Sequence, residues 1–296
     1  MNNSPFFSII IPTYNRAHTI AHTINSCIQQ NFFDYEIIVV DDGSTDNTFE
    51  IVSPFITKYK IQYHKKLNEE RATARNYGID MARGKYVTFL DSDDVLYSDF
   101  LTNAFEKITT NNYPEFVILA YEICTLDNRT KSRIKYKNDI NILVEGNPLS
   151  CIGNFLKREI TNEYRFNEDK SIIRSEDWEL WIRVAARYGF IHDNRISSCV
   201  YDHEERSVRN FDTEQLIRHK YQAITSAFND KYVKELFEVK ERKIYAYCDT
   251  YISLHLALAG KKKKAIRFLL SGIRKYPGVV FTRRFLAIIK RILLFR

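Results

Sequence analysis

The chain has 296 residues, 45% of them apolar, enough to bury one large core or two modest ones, and no run of about 18 or more apolar residues, which excludes a membrane-spanning helix. Five cysteines (Cys27, Cys124, Cys151, Cys199, Cys248) are far apart and never form a CxxC pair, which argues against a disulfide framework or a zinc site and fits a reducing cytoplasm. The net charge of +7 is uneven: residues 1–212 carry 25 Lys and Arg against 31 Asp and Glu, residues 213–296 carry 19 against 6, and no acid follows Gly260. A uniformly basic protein points to nucleic acid, whereas a slightly acidic body with a basic tail points to an anchoring surface.

In chain order, Met1 to Pro5 has no basic stretch and leads straight into an apolar run, so no signal peptide is expected. Phe6–Ile11, closed by Pro12, reads as a buried parallel strand, with Thr13-Tyr14-Asn15-Arg16 as the loop beyond it. Ile20, Ile24, Cys27 and Ile28 share one side of a helix expected over Ala17–Gln30. A second strand, Glu36–Val40, ends in Asp41-Asp42-Gly43-Ser44-Thr45-Asp46. Gly43 permits a tight turn there, and Ser44, Thr45 or Asp46 can cap a helix over Thr48–Tyr59. Ile61–His64 reads as a short strand, Arg71–Met81 as a helix ended by Gly84, and Tyr86–Leu90 as a strand of β-branched and aromatic residues. Strand alternating with helix is the pattern of an α/β fold with a doubly wound, parallel sheet, its loops gathered on one edge. No GxGxxG follows the first strand and no GxxxxGK[ST] occurs, against a dinucleotide oxidoreductase or a P-loop NTPase. Tyr97–Thr110 is expected to be helical and Glu115–Tyr121 a strand. Periodicity fades from Thr125 to Ser171. The clearest helix runs from a Ser175 cap to Gly189, and Ser198–Asp202 is the last strand expected, followed by a loop from His203 to Asn210.

The Tyr86–Leu90 strand runs directly into Asp91-Ser92-Asp93-Asp94. In open α/β sheets ligands sit beyond the carboxyl ends of the strands. On an extended segment Asp91 and Asp93 would point the same way and face one site. Their repulsion needs a cation or a proton between them, and a divalent metal that also takes diphosphate oxygens is the simplest tenant. The alternative is an acidic turn in which Ser92 and Asp94 cap the next helix, since Asp-X-Asp alone is a weak motif.

Pro12-Thr13-Tyr14-Asn15, the Asp41–Asp46 loop, Ala74-Arg75-Asn76-x-Gly78, Asp91-Ser92-Asp93-Asp94 and Glu176-Asp177 occur in one order at compatible spacings. Together they resemble glycosyltransferase family 2, with the GT-A fold: the nucleotide-diphospho-sugar transferase architecture, Rossmann-like and mostly parallel, here followed by an α-helical C-terminal region. The resemblance implies a metal-dependent, inverting transferase. It would move a sugar from a nucleotide-diphosphate donor, above all a UDP-sugar, to a hydroxyl of a glycan or lipid-linked acceptor in cell-surface polysaccharide synthesis. Carried onto this sequence, Pro12, Thr13, Tyr14, Asn15, Asp41 and Asp42 hold base and ribose, with Arg71 and Arg75 against the nucleotide and Glu69-Glu70 where the family commonly has a glycine. Asp91 and Ser92 continue the donor contact, Asp93 is the direct ligand of Mn2+ or Mg2+, Asp91 takes ribose or a metal-bound water, and His203 is a further metal ligand. Arg206, with Ser207 and Arg209, closes over the phosphates. Asp177 is the catalytic base, favoured in its ionised form by the first turn of its helix. Each residue also has a structural reading: turn capping for Asp41 and Asp42, a solvated helix position for Arg75, favourable charge at a helix start for Glu176 and Asp177, a structural histidine for His203. Trp181 is expected in the core, while Trp178 is either core or sugar-facing.

On this reading residues 1–212 form the GT-A domain and 213–296 a basic helical extension. Tyr251–Gly260 and Lys261–Tyr276 read as a helical hairpin turning at Gly260. On a helical wheel Phe281, Phe285, Leu286, Ile288, Ile289, Ile292, Leu293 and Phe295 share one broad side and Arg283, Arg284, Lys290 and Arg291 the other. That profile fits a helix at 279–296 lying in an anionic membrane surface, or one packed on its own domain. The protein is expected in the cytoplasm, peripheral on the inner face of the membrane. Two other functions were weighed. A sugar-nucleotidyltransferase wants a glycine- and lysine-rich first loop, which Thr13–Arg16 lacks. A basic nucleic-acid-binding protein is opposed by the split charge and clustered carboxylates, so no nucleic-acid partner is expected.

Overall fold

The computed structural model describes residues 4–59, 61–203 and 212–294. The chain divides into two compact units: Met1–Asp139 with Leu149–Glu168 and Tyr188–Glu204, and Ile140–Pro148 with Asp169–Arg187 and Glu205–Arg296.

In the first unit β1 (Phe7–Thr13), β2 (Tyr35–Asp41), β3 (Gln62–Lys65) and β4 (Tyr86–Phe89) alternate with α1 (Ile20–Ile28), α2 (Thr48–Tyr59) and α3 (Arg71–Met81). Then come β5 (Val95–Leu96), α4 (Phe100–Thr110), β6 (Phe116–Leu119), β7 (Tyr121–Cys124), β8 (Thr130–Ile134), β9 (Asn154–Lys157), β10 (Ile191–Asp193) and β11 (Ser198–Tyr201). The larger sheet has the order β10-β6-β9-β4-β1-β2-β3. It is parallel except for β9, which runs against both neighbours. Every residue of β1 is buried, which is why it reads as mostly apolar, Ser8 and Thr13 excepted, rather than as an alternating run. The register places Thr13 beside Asp41 and Asp41 beside Lys65, whereas β4 pairs with β1 only as far as Ile10 opposite Phe89. Pro12 therefore lies beyond the β4 ladder, where its missing N–H leaves no gap on that side. A smaller sheet, β5-β11-β7-β8, joins β11 antiparallel to β5 and parallel to β7.

The fold differs from expectation in three respects. The single strand over Glu115–Tyr121 is two, because the chain passes at Ala120 from the larger sheet into the smaller one. β5, β8, β9 and β10 were not foreseen; at two to five residues they are too short to show a clear period. The first and fourth helices start later than expected. Arg16 and Ala17 give their N–H groups to Thr48 and Asp46, and Tyr97 N–H goes to Ser197 O rather than into a helix.

The second unit is helical: α5 (Glu176–Tyr188), α6 (Thr213–Ala227), α7 (Lys231–Phe237), α8 (Glu241–Leu258), α9 (Lys262–Lys275) and α10 (Arg283–Leu294). Asp212 and Asp230 cap α6 and α7 by accepting backbone N–H groups of the first turn. α8 and α9 form the expected hairpin, with Gly260 in the left-handed region (φ +74°). Ile252, Leu256, Ala257 and Ala265 form its core, joined by Ile217, Phe268 and, from α10, Ile292. Within it the buried Asp249 carboxylate accepts Lys275 Nζ at 2.6 Å and Tyr221 OH at 2.5 Å. Burial, then that carboxylate, pushes the Tyr221 hydroxyl well above its ordinary pKa. Among the described residues no helix is long and apolar enough to cross a membrane, and all five cysteines are free.

Gly78 is the closest approach of α3 to the sheet: a Cβ there would collide with Ile10 Cγ2 on β1. Gly78→Ala is expected to cost about 1–3 kcal/mol by overpacking, read as a lower midpoint in urea denaturation. An unchanged midpoint would show that the contact can relax.

Candidate active site

The loops beyond β1 and β2 are stitched into one rim. Asp42 N–H donates to Thr13 O at 2.8 Å, Asn15 N–H to Ser44 Oγ at 2.9 Å, and Thr45 N–H to Asn15 Oδ1 at 2.8 Å. Asn15 sits at φ +51°, a region that asparagine tolerates better than most side chains. Asp46 accepts from Thr48 and from Ala17 N–H; desolvation opposes the shift, but these hydrogen bonds hold its carboxyl below the usual range. Tyr14 projects from this rim with 46% of its surface exposed. Pro12 and Thr13 are buried, and Thr13 Oγ1 has no hydrogen-bond partner among the described residues.

Asp41 and Asp42 are both buried and engaged. Asp41 accepts Ser44 N–H at 2.7 Å and the Tyr63 hydroxyl; burial first, and then this carboxylate, raises the Tyr63 pKa strongly. Asp42 accepts Glu69 N–H at 3.1 Å, Glu70 N–H at 3.0 Å and Lys66 Nζ at 2.9 Å. It thereby holds the entry to α3 in a shape that Glu70 resists: Glu70 has φ +83° and ψ +161°, a conformation that belongs to glycine. The backbone at the start of α3 is thus strained at Glu70.

The motif on α3 has a physical reason at each place. Arg75 is not solvated: it is 2% exposed and reaches Asp91 Oδ1 with an Nη at 2.7 Å, its guanidinium 5.1 Å from the centre of the Phe166 ring. Asn76 donates to Phe166 O and Glu168 Oε1 and accepts Phe166 N–H, clamping that segment. Arg71 begins the helix.

Beyond β4 the chain does not stay extended. Asp94 N–H turns back to Asp91 O at 3.0 Å, so Asp91 and Asp93 do not share one direction, as alternation would require. Asp91 goes to Arg75. Asp93 Oδ2 lies 3.1 Å from His203 Nε2 and 3.6 Å from an Arg16 Nη. Asp94 Oδ1 accepts Tyr201 N–H at 3.0 Å, and Ser92 is buried between them. His203 reaches Asp93 across the sequence because β11 pairs with β5, with Cys199 opposite Val95 and Ser198 opposite Leu96. Arg16 was not among the expected site residues, although it directly follows Pro12-Thr13-Tyr14-Asn15. Arg206, Ser207 and Arg209 lie outside the described residues.

A carboxylate oxygen and an imidazole nitrogen this close fit a divalent cation. Among the described residues no group of three or more His, Cys, Asp or Glu could hold one. Asp93 and His203 would supply two donors to such an ion, leaving its other positions to phosphate oxygens and water, the usual pattern for Mg2+-type ions.

Asp177 belongs to the second unit, in the first turn of α5. Its Oδ2 accepts Asn147 Nδ2 at 2.8 Å and its Oδ1 accepts Trp178 N–H at 2.8 Å. Asn147 gave no local signal in the sequence. The expected Ser175 cap is absent: its hydroxyl is buried and makes no hydrogen bond among the described residues. Trp178 and Trp181 are both buried, with the Trp178 indole N–H on Leu143 O at 3.0 Å, so neither faces a sugar as the chain stands.

Residues 8–165 match the profile of glycosyl transferase family 2. Over 193 residues the chain is 30% identical to UDP-Glc:alpha-D-GlcNAc-diphosphoundecaprenol beta-1,3-glucosyltransferase WfgD of Escherichia coli, covering 64% of this chain and 72% of that one. Over 250 residues it is 28% identical to an uncharacterized glycosyltransferase of Haemophilus influenzae, covering 82% and 94%. It spans only 18% of a longer glycosyltransferase of Rickettsia felis, at 42% identity over 36% of this chain. Among solved structures, S. aureus TarS in complex with UDP superposes with a TM-score of 0.67 at 19% identity, over 97% of this chain and 88% of that one. The mannosyltransferase PcManGT from Pyrobaculum calidifontis, in complex with GDP-Man and Mn2+, gives 0.55 at 20% identity, over 99% and 88%. At these identities the structural likeness shows the fold, a GT-A-type sheet with its helices.

Glu70→Gly should relieve the backbone strain. Such strain costs about 1–3 kcal/mol and glycine's extra freedom in the unfolded chain returns about 0.5–1, so a gain of about 1 kcal/mol is expected in chemical denaturation. Equal or lower stability would mean that Asp42 holds this turn without cost.

Proposed function

The chain belongs to glycosyl transferase family 2, and from that premise we propose that it transfers a sugar, with inversion, from a UDP-sugar to a hydroxyl of a lipid-linked glycan acceptor in cell-surface polysaccharide synthesis. The enzyme is a glycosyltransferase by its family; donor, metal and acceptor are the finer reading. The observation that carries it is the cluster of Asp93, His203 and Arg16 beside the Arg75–Asp91 pair, where β4 ends. The UDP bound in TarS and the donor and diphosphoundecaprenol acceptor in the name of the E. coli relative support the choice of substrates.

In this reading residues 1–212 are the transferase domain. The exposed Tyr14 ring covers the base, with Pro12, Thr13, Asn15 and Asp41 bordering it. Asp42 acts through the loop that it grips. Arg71 and Arg75 line the nucleotide side, and Arg75 holds Asp91 and Ser92 toward the ribose. Asp93 and His203 hold Mn2+ or Mg2+, which when bound screens the charge that gathers on the departing diphosphate. The Mn2+ in PcManGT supports this ion. Arg16 meets the phosphates from the β1 loop. Asp177, oriented by Asn147 and Trp178 N–H, takes the proton of the acceptor hydroxyl as that oxygen attacks the anomeric carbon opposite the leaving diphosphate. On this proposal the reaction takes place at the inner face of the membrane.

Two substitutions separate the roles. Asp93→Ala should remove the Mn2+-dependent part of UDP binding in calorimetry; equal UDP affinity with and without Mn2+ in both proteins would reject the clamp. Asp177→Asn should keep donor affinity and lower transfer by about 10²–10⁴-fold, and wild-type turnover in that variant would exclude Asp177 as the base.

A further inference from the structure

α10 was expected to present one broad apolar side and one basic side, but the structure divides both. Ile288 is fully buried and Ile292 packs on the α8–α9 core. Arg284, expected on the solvated side, is turned inward: it donates to Tyr247 O at 3.0 Å and Thr250 Oγ1 at 3.3 Å, and burial lowers its pKa. What the helix leaves outside is a narrower pattern. Leu286 and Leu293 are 66% and 72% exposed, and Phe281, just before the helix, is 91% exposed. Leu286 and Leu293 are seven residues apart and so share one stripe of the helix. Arg283 and Lys290, also seven apart and exposed, form the adjoining stripe. α9 repeats the combination, with Ile266 and Leu270 exposed and Arg267 and Arg274 exposed beside them.

Charge identifies the partner. No Asp or Glu follows Asp249, whereas twelve Lys and Arg do, so nothing along this stretch of chain offsets an attraction to an anionic surface. Large apolar side chains that remain in water beside basic ones suit a surface that is anionic outside and apolar a few ångströms in, which is a bilayer rather than a nucleic-acid backbone.

We propose that α9 and α10 form a docking surface for an anionic lipid bilayer, with Phe281, Leu286 and Leu293 entering the headgroup boundary while Arg283 and Lys290 meet lipid phosphates. Binding of this kind is reversible and falls with ionic strength. Donor binding can be measured in solution without a membrane, so the two readings are tested separately.

The test is sedimentation of the full chain with phosphatidylcholine vesicles, with and without phosphatidylglycerol. Cosedimentation is expected only with the anionic vesicles, weakening as salt is raised. Arg283→Glu with Lys290→Glu should reduce the partition coefficient by about fivefold or more for each basic residue lost. Leu286→Ser with Leu293→Ser should reduce it too, and the loss should persist at salt concentrations that screen charge. All four positions are exposed, so UDP binding and helical circular dichroism should match the wild type and show that the variants fold. No preference of the wild type for anionic vesicles would overturn the proposal. So would wild-type partition in both double variants, or salt-sensitive capture of single-stranded RNA without any vesicle binding. None of these outcomes would touch the donor reading, which UDP binding reports separately.

Discussion

Three carboxylates within four residues, placed where a buried parallel strand ends, cannot remain together without counter-charges. The chain gives each a different partner: a buried guanidinium for Asp91, an imidazole and a second guanidinium for Asp93, a backbone N–H for Asp94. The turn closed by Asp94 N–H on Asp91 O splays them so that these partners can be reached. The partners are not equivalent. Guanidinium stays protonated at any working pH and has no lone pair for a metal, whereas neutral imidazole has one. Asp91 is held by an ion pair with Arg75, whereas Asp93 faces His203, a group that can share a cation with it. That asymmetry favours Asp93 over Asp91 as the metal-binding carboxylate.

The pairing of Asp93 with His203 depends on the smaller sheet. β5 follows the acidic turn at once, β11 pairs with it, and Tyr201 N–H is anchored on Asp94, so the residue two places beyond Tyr201 arrives beside Asp93. The acidic turn therefore organises the sheet edge as well as the site, and Asp94 is part of the scaffold rather than a helix cap.

Local signals made much of this legible. The four strands and three helices of the first ninety or so residues follow from apolar runs, turn glycines and helical spacing, and the Arg75-Asn76-x-Gly78 pattern marked α3 before its contacts were known. What escaped depends on contacts between distant segments. Alternation along an extended segment predicted that Asp91 and Asp93 would point the same way, and the chain makes a turn there instead. Burial of Arg75 could not be read from a helix with little apolar periodicity, because its partner lies on another element. Asn147 and Asp177 meet through a segment in which periodicity fades. For α10 the wheel found an amphipathic helix but could not tell which apolar residues find a neighbour. Ile288 is buried, Ile292 packs on the α8–α9 core and Arg284 bonds to α8, while Leu286 and Leu293 stay outside.

The two-donor character of the proposed cation site has a thermodynamic consequence. With one carboxylate and one imidazole, a hard divalent ion keeps most of its water and binds the protein alone weakly. A diphosphate supplies the missing oxygens, so ion and donor each raise the affinity of the other by the same factor. Arg16 at 3.6 Å from Asp93 sharpens this: while Asp93 is paired with Arg16 the carboxylate is partly neutralised, and an incoming diphosphate draws the guanidinium to itself. On the proposed reading the donor would thereby bring ligands for the ion and free the carboxylate that receives it. The same cluster would make the free enzyme a poor trap for stray cations and the donor-bound enzyme a good one, confining the positive charge to the moment when a leaving diphosphate needs it.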